Sequence, residues 1–302
     1  CRRHNVVFWW SRQSRGHGFQ SAASSEMMIQ LARQRSDDPA RMAQMKAAGL
    51  FDLTGQVALV TGASSGLGWR FAQVLAANGA AAVLVARRVD RLAELKMMID
   101  YEGGRAIAVE ADVLDRAAMT RAFDMAEQAF GTVTILVNNA GVAHADRALE
   151  ITEADWRRVL ATDLDAVLFW SQEAARRMLA AEKRGAIVNI ASILGLAVSK
   201  GTIAYATAKA GVIQLTKSLA LELAFKGVRV NAIAPGFITT ELNREYLEGE
   251  GASMTRDIPA GRFGEEHDLD GALLLLVSDA GSYIAGATIV VDGGHMLALR
   301  GT

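Results

Sequence analysis

Val57-Ala58-Leu59-Val60-Thr61-Gly62-Ala63-Ser64-Ser65-Gly66-Leu67-Gly68 is the stretch that decides the fold. An apolar run too short for a helix breaks at a glycine turn, and the residues beyond return to helical spacing until Asn78-Gly79. A turn between a strand and a helix aims backbone N–H groups and the positive helix end at one point, and glycines let an anion approach closely. The pattern is Gly-x-x-x-Gly-x-Gly rather than Gly-x-Gly-x-x-Gly, and no lysine follows as a triphosphate-binding loop requires. A glycine turn by itself fits a plain tight turn equally well. Its place after the first strand favours phosphate binding.

Six more short apolar runs follow, at 82–85, 106–109, 135–137, 186–190, 228–233 and 288–291. Alternating with helical segments, they predict an α/β fold: one doubly wound domain with a seven-stranded parallel sheet and helices on both faces. Thr152-Glu153-Ala154-Asp155 reads as a capping box opening a long helix toward Leu179, and a second long helix is expected over about 204–226. Apolar residues at helical spacing on both, such as Val159, Val167 and Trp170, then Val212 and Leu219, belong to a core or to a subunit contact.

A chain of 302 residues, 51% hydrophobic, is large enough for one sizeable domain plus an extension. A formal charge of -1 gives no reason to expect nucleic acid or a membrane surface as partner, and no apolar run approaches the length of a membrane span. The single cysteine, Cys1, excludes an internal disulfide and a cysteine-based metal site, which fits a reducing compartment. Up to Ser36 the chain carries six arginines against one acidic residue, Glu26, with scattered serines. Residues 1–50 are therefore expected to be a disordered extension, a targeting segment or a mis-called leader, and 51–302 the catalytic domain. The expected location is cytoplasmic, or mitochondrial if the leader is a transit peptide.

Two positions carry the chemistry. The second strand ends at Ala86-Arg87-Arg88, where an NAD-binding turn would place an acid for the ribose 2′-hydroxyl. A guanidinium there grips a 2′-phosphate, so NADP(H) is favoured, with NAD(H) as the alternative. Tyr205 and Lys209 stand four residues apart and share one helix face. A free phenol ionises near 10, and an ammonium beside it favours the phenolate enough for acid–base work near neutrality.

Thr61-Gly62-x-x-x-Gly66-x-Gly68, Asp112-Val113, Asn138-Asn139-Ala140-Gly141, Ser192, Tyr205-x-x-x-Lys209 and Pro235-Gly236-x-x-x-Thr240 stand in the order seen in short-chain dehydrogenase/reductases, which the chain resembles over about 51–297. The resemblance implies a Rossmann-type domain and reversible hydride transfer between a nicotinamide cofactor and a small carbonyl or secondary alcohol. It implies a cofactor held by Gly62, Ser64, Ser65, Gly66, Leu67 and Gly68, by Arg87 and Arg88, by Asp112 and Val113 at the adenine, and by Asn139, Ala140 and Gly141. Pro235, Gly236, Ile238 and Thr240 would lie toward the carboxamide. Ser192 would hold the substrate oxygen, Tyr205 deliver the proton, and Lys209 hold the ribose. A homotetramer or homodimer is implied as well. The core is similar to both 3-oxoacyl reductases and sugar or polyol dehydrogenases, the former giving an NADP(H) enzyme and the latter an NAD one. The reading from another class is a nucleotide-binding regulator without turnover, which damage to Ser192, Tyr205 or Lys209 would mark, and all three are intact.

One residue departs from the family pattern. Asp163 stands where an asparagine usually helps to hold a water that relays protons from the lysine. An ionised carboxylate only accepts hydrogen bonds. It is expected either to orient that water or to pair with Lys209 and alter the pH dependence. His144, just after the Asn-Asn-Ala-Gly turn, could line the substrate pocket but, with no carboxylate or second histidine nearby in sequence, reads first as an exposed loop residue; His295 reads as a turn residue near a subunit contact, and no metal-ligand spacing appears. Substrate choice is expected in the irregular stretch 237–262, which could close over the ligand.

Overall fold

The computed structural model describes residues 46–241 and 243–297. The expectations for residues 1–45 lie outside them. From Leu50 onward the chain forms one compact unit.

All seven predicted runs are strands: β1 (Val57–Thr61), β2 (Ala81–Ala86), β3 (Arg105–Glu110), β4 (Ile135–Asn138), β5 (Gly185–Ile190), β6 (Val228–Pro235) and, last in the chain, β9 (Thr288–Val291). They form a parallel sheet in the order β3-β2-β1-β4-β5-β6-β9. Every residue of β1 is buried, with Ala58 and Val60 on one face and Val57 and Leu59 on the other. This is why the strand reads as a continuous apolar run instead of an alternating one. Helices α1 (Gly66–Ala77), α2 (Val89–Tyr101) and α8 (Asp270–Val277) cover the first face through Phe71, Leu95 and Leu273. Helices α3 (Arg116–Phe130), α5 (Ala166–Ala180) and α6 (Ile203–Leu223) cover the second, where Phe123 and Trp170 meet at 5.7 Å.

The long helix expected after Thr152 is three pieces in one: α4 (Glu153–Leu160), a π turn over Ala161–Asp165, and α5. The Thr152 hydroxyl accepts from Asp155 N and donates to its carboxylate, a variation on the expected box. A small ribbon, β7 (Ile238–Thr239) with β8 (Gly264–Glu265), and a short helix α7 (Arg244–Glu248) lie within or beside the irregular stretch.

Between sheet and helices runs one buried polar chain. Asn138 Nδ2 donates to Ser171 Oγ and to Asn189 Oδ1, both at 2.9 Å, and Asn189 Nδ2 donates to Thr216 Oγ1 at 2.9 Å. An amide left unpaired there would cost about 1–3 kcal/mol, so the chain of bonds fixes how α5 and α6 register on β4 and β5. Chain order reverses across β1, which separates β2 from β4. Such a switch point opens a crevice at the carboxyl ends of the strands.

Candidate active site

The crevice is an open cleft of about 890 Å³, bounded by the ends of β1, β2, β4, β5 and β6. At its floor, Gly62 and Gly66 take positive φ values of 69° and 54°. A Cβ on Gly62 would lie 2.9 Å from Ala140 Cα, so the β1 and β4 turns touch through this glycine. The Thr61 hydroxyl accepts from Asn139 N (3.0 Å) and Ala140 N (3.1 Å), while Asn139 Nδ2 donates back to Thr61 O at 3.0 Å. The two turns are thereby held as one rigid edge beside the start of α1. Gly68 is placed otherwise than its neighbours. It faces inward, where a Cβ would collide with the Gly62 carbonyl, so its task is close packing of helix on strand.

Arg88 arches over the same turn. Its Nη2 donates to Ser65 Oγ (2.6 Å) and Ser64 Oγ (3.1 Å), and its Nε to Ser64 Oγ (3.2 Å). Arg87 points elsewhere, 76% exposed and 3.9 Å from the Asp112 carboxylate. The two arginines, equal in sequence, are unequal in space. Asp112 Oδ1 accepts from Leu114 N at 2.9 Å and so shapes the turn after β3, with Val113 beside it at the cleft.

Ser192, Tyr205 and Lys209 line the inner end of the cleft together. Ser192, just past β5, is held in extended backbone and accepts from Leu194 N at 3.1 Å. Lys209 is buried. Its Nζ donates to Ile190 O at 3.0 Å, stands 3.1 Å from Asp163 Oδ2, and lies 5.4 Å from the centre of the Tyr205 ring. Burial pushes the ammonium's pKa down, but the opposing charges of Asp163 and Tyr205, with the hydrogen bond to Asp163, leave it above its ordinary value. Two of its three N–H groups face protein oxygens, which leaves one for a ligand.

The outer wall is built from Pro235, Gly236, Phe237, Ile238 and Thr240. Asn243 holds this segment in place, its Oδ1 accepting from Thr240 N (2.7 Å) and its Nδ2 donating to Ile238 O (2.9 Å). Sequence reading missed this brace, although the Thr-x-x-Asn spacing is a recognisable turn signal. Phe237 sits between Phe263 and the His295 ring, 5.5 Å from the latter.

His144 differs from expectation. Its Nε2 lies 2.6 Å from Asp146 Oδ2 and 3.7 Å from Asp155 Oδ2, and its Nδ1 lies 3.2 Å from Arg158. The loop folds back onto the start of α4, bringing together carboxylates that linear spacing separates. The three groups could approach one ion, yet the Thr152 hydroxyl and the Arg158 guanidinium already occupy Asp155.

The cradle fits a dinucleotide: a turn with positive φ at Gly62 and Gly66, a helix N-terminus at that turn, an arginine over two serines and a lysine with one free donor. The sequence profile described as short chain dehydrogenase matches residues 56–251. The galactitol 2-dehydrogenase (L-tagatose-forming) of Cereibacter sphaeroides is 42% identical over 82% of this chain and 97% of its own length. The 3-oxoacyl-(acyl-carrier-protein) reductase of Escherichia coli K12 is 36% identical, covering 80% of this chain and 97% of its own. A gluconate 5-dehydrogenase from Burkholderia cenocepacia, solved with NADP and tartrate, superposes with a TM-score of 0.80 at 34% identity, over 84% of this chain and all of that one.

Proposed function

The chain belongs to the short chain dehydrogenase family, and from that premise we propose that this oxidoreductase of CH–OH groups is NADP(H)-dependent and interconverts a small ketone and its secondary alcohol. The observation that carries the cofactor preference is the Arg88 fork laid across Ser64 and Ser65. A 2′-phosphate in that place would take the guanidinium and both hydroxyls as donors. When bound, the nicotinamide supplies or removes the hydride.

The chain's own residues supply the rest. Ser192 donates to the substrate oxygen and fixes the carbonyl beside Tyr205. The Tyr205 phenol gives its proton to that oxygen in reduction and takes it back in oxidation. Lys209, charged and buried, orients the ribose and sets its ammonium beside the Tyr205 ring. Phe237 and Ile238 offer the apolar part of the outer wall to the nicotinamide and the substrate.

A 3-oxoacyl substrate is the first reading, in keeping with the reductase relative. A sugar or polyol is the second, favoured by the higher identity to the galactitol enzyme. A panel of a short 3-oxoacyl thioester, a hexitol and a plain cyclic ketone, each with NADPH and NADH, separates them. Cofactor binding without turnover of any of them would refute the proposal and leave a nucleotide-binding regulator. Among the described residues no helix is long and apolar enough to cross a membrane.

A further inference from the structure

Asp163 has none of its surface exposed, and local backbone geometry puts it there. The π turn over Ala161–Asp165 carries it inward, toward α6, where Val159 one turn earlier already packs on Ala204 and Ala208. Its Oδ1 accepts from Val142 N at 2.7 Å. Its Oδ2 faces the Lys209 ammonium 3.1 Å away. A Cβ on Gly141 would lie 2.9 Å from that oxygen, so the glycine leaves room for it. A carboxylate withdrawn from water requires such a counter-charge. The result is a fixed ion pair, neutral in sum, beside the Tyr205 ring. From the two distances of 3.1 and 5.4 Å, the carboxylate oxygen is no more than about 8.5 Å from the ring centre.

We propose that Asp163 is a positioning residue that sets the direction in which the site is poised: its carboxylate, held against Lys209, opposes the field of that ammonium at Tyr205 and so favours proton delivery to a carbonyl over proton removal from an alcohol. This rests on the proposed role of Tyr205 as proton donor. In reduction the carbonyl carbon gains the electron pair of a hydride from the reduced nicotinamide, and the oxygen takes the Tyr205 proton. The phenolate left behind is reprotonated from solvent. Oxidation reverses each transfer and requires the phenolate first.

The charged groups around the pair are few. Lys209 and Tyr205 come from α6, and Asp163 from the turn between α4 and α5, where Asp165 points to solvent. Arg158 of α4 also lines the cleft, with its charge engaged by Asp155 and its Nη2 against His144, which Asp146 holds on the other side. The end of β5 and the turn 139–142 bring no charged side chain. The raised pKa of the lysine keeps its ammonium charged, and the ion pair with Asp163 intact, into the alkaline range.

Asp163→Asn keeps the shape and the acceptor for Val142 N–H. The test reads phenolate absorbance against pH in the cofactor-free protein, with the Tyr205→Phe protein subtracted, and pH–rate profiles in both directions. Losing one negative charge at about 8.5 Å, the bound to the ring centre, at an effective dielectric of about 20 should move the phenolate midpoint toward acid by about 1.5 pH units. The rise of oxidation and the fall of reduction should move with it, so that oxidation at pH 7 gains about 30-fold. A phenolate midpoint that stays in place overturns the proposal, even if both rates fall. Should Asp163→Asn not fold, as judged by circular dichroism, Asp163→Ala is read by the same criteria. Undiminished turnover in Tyr205→Phe would instead defeat the proposed function, and the two failures are told apart by that variant.

Discussion

Replacing Arg88 by alanine should remove the proposed preference for NADPH and leave the enzyme nearly indifferent to the 2′-phosphate. The guanidinium reaches Ser65 Oγ at 2.6 Å and Ser64 Oγ at 3.1–3.2 Å, so its donors already converge on the place that phosphate would take. Hydrogen bonds to a charged group contribute about 1.5–3 kcal/mol each. Two of them at an exposed residue, discounted for solvent screening, come to about 2–3 kcal/mol, or a loss of about 30- to 150-fold in kcat/KM for NADPH. NADH has nothing for Arg88 to grip and should lose less than about threefold. Arg87→Ala should cost NADPH only about threefold, because that side chain is 76% exposed and its neighbour is the Asp112 carboxylate. Steady-state kinetics with both cofactors at low and moderate salt measure all of this. Equal losses for NADPH and NADH, or a larger effect from Arg87 than from Arg88, would refute the reasoning.

Tyr205→Phe should lower kcat by about 10²- to 10⁴-fold while cofactor fluorescence still reports binding, and a variant retaining more than about a tenth of the rate would speak against a proton-donor role. Gly68→Ala forces a Cβ against the Gly62 carbonyl, so the turn must open, with NADPH affinity falling at least about tenfold and the melting temperature dropping. Gly271→Ala is the counter-case: it is exposed in α8 with nothing within 4 Å of a new Cβ, and should leave stability unchanged or raise it by up to about 1 kcal/mol. The Arg262 guanidinium and the Glu265 N–H hold the Asp268 carboxyl well below the usual range. A depressed folded-state value means stability present above the unfolded value near 4 and lost as pH falls toward the folded one. Asp268→Asn should therefore flatten the fall of melting temperature below about pH 4, and an unchanged slope there would count against that ion pair.

Strand positions were legible because burial on both faces leaves an apolar run that only a glycine or a polar residue ends, and β1 with its turn shows both signals at once. Ser192, Tyr205 and Lys209 were legible because each lies at a strand end or on one helix face. What the sequence could not separate was Arg87 from Arg88: adjacent residues leave a strand in opposite directions, and only the position of the Ser64–Ser65 turn decides which one reaches it. Asn243 was only half legible: Thr240, whose N–H and hydroxyl it accepts, stands at turn spacing before it, but Ile238 O, to which it donates, is a backbone group with no mark in the side-chain pattern. The His144 neighbourhood escaped for a different reason. Asp155 is eleven positions away, and no periodicity announces that the loop returns to the head of α4.

The departure at Asp163 also ties the substrate side of the cleft to its proton chemistry. Its Oδ1 fixes Val142, the first residue of the loop that leads to α4, and the loop's middle is fixed again where Asp146 N donates to Gly201 O at 3.0 Å, beside the bridge from Asp146 to Thr202. Thr202 stands three residues before Tyr205 at the start of α6. One loop is thus anchored at one point to the partner of Lys209 and at another to the helix that bears the phenol. A loop that borders the cleft is normally free to vary with substrate while the proton donor stays still. Here a change at Val142 or Asp146 shifts both together, because the same hydrogen bonds that place the loop also place the two ends of the Asp163–Lys209–Tyr205 arrangement. The proposed acid–base geometry would therefore constrain substrate range at that loop, and stretch 237–262, braced through Asn243 on Ile238 and Thr240, through Glu241 on Arg91 and through Ala260 on Gly293, is the freer route to a new substrate.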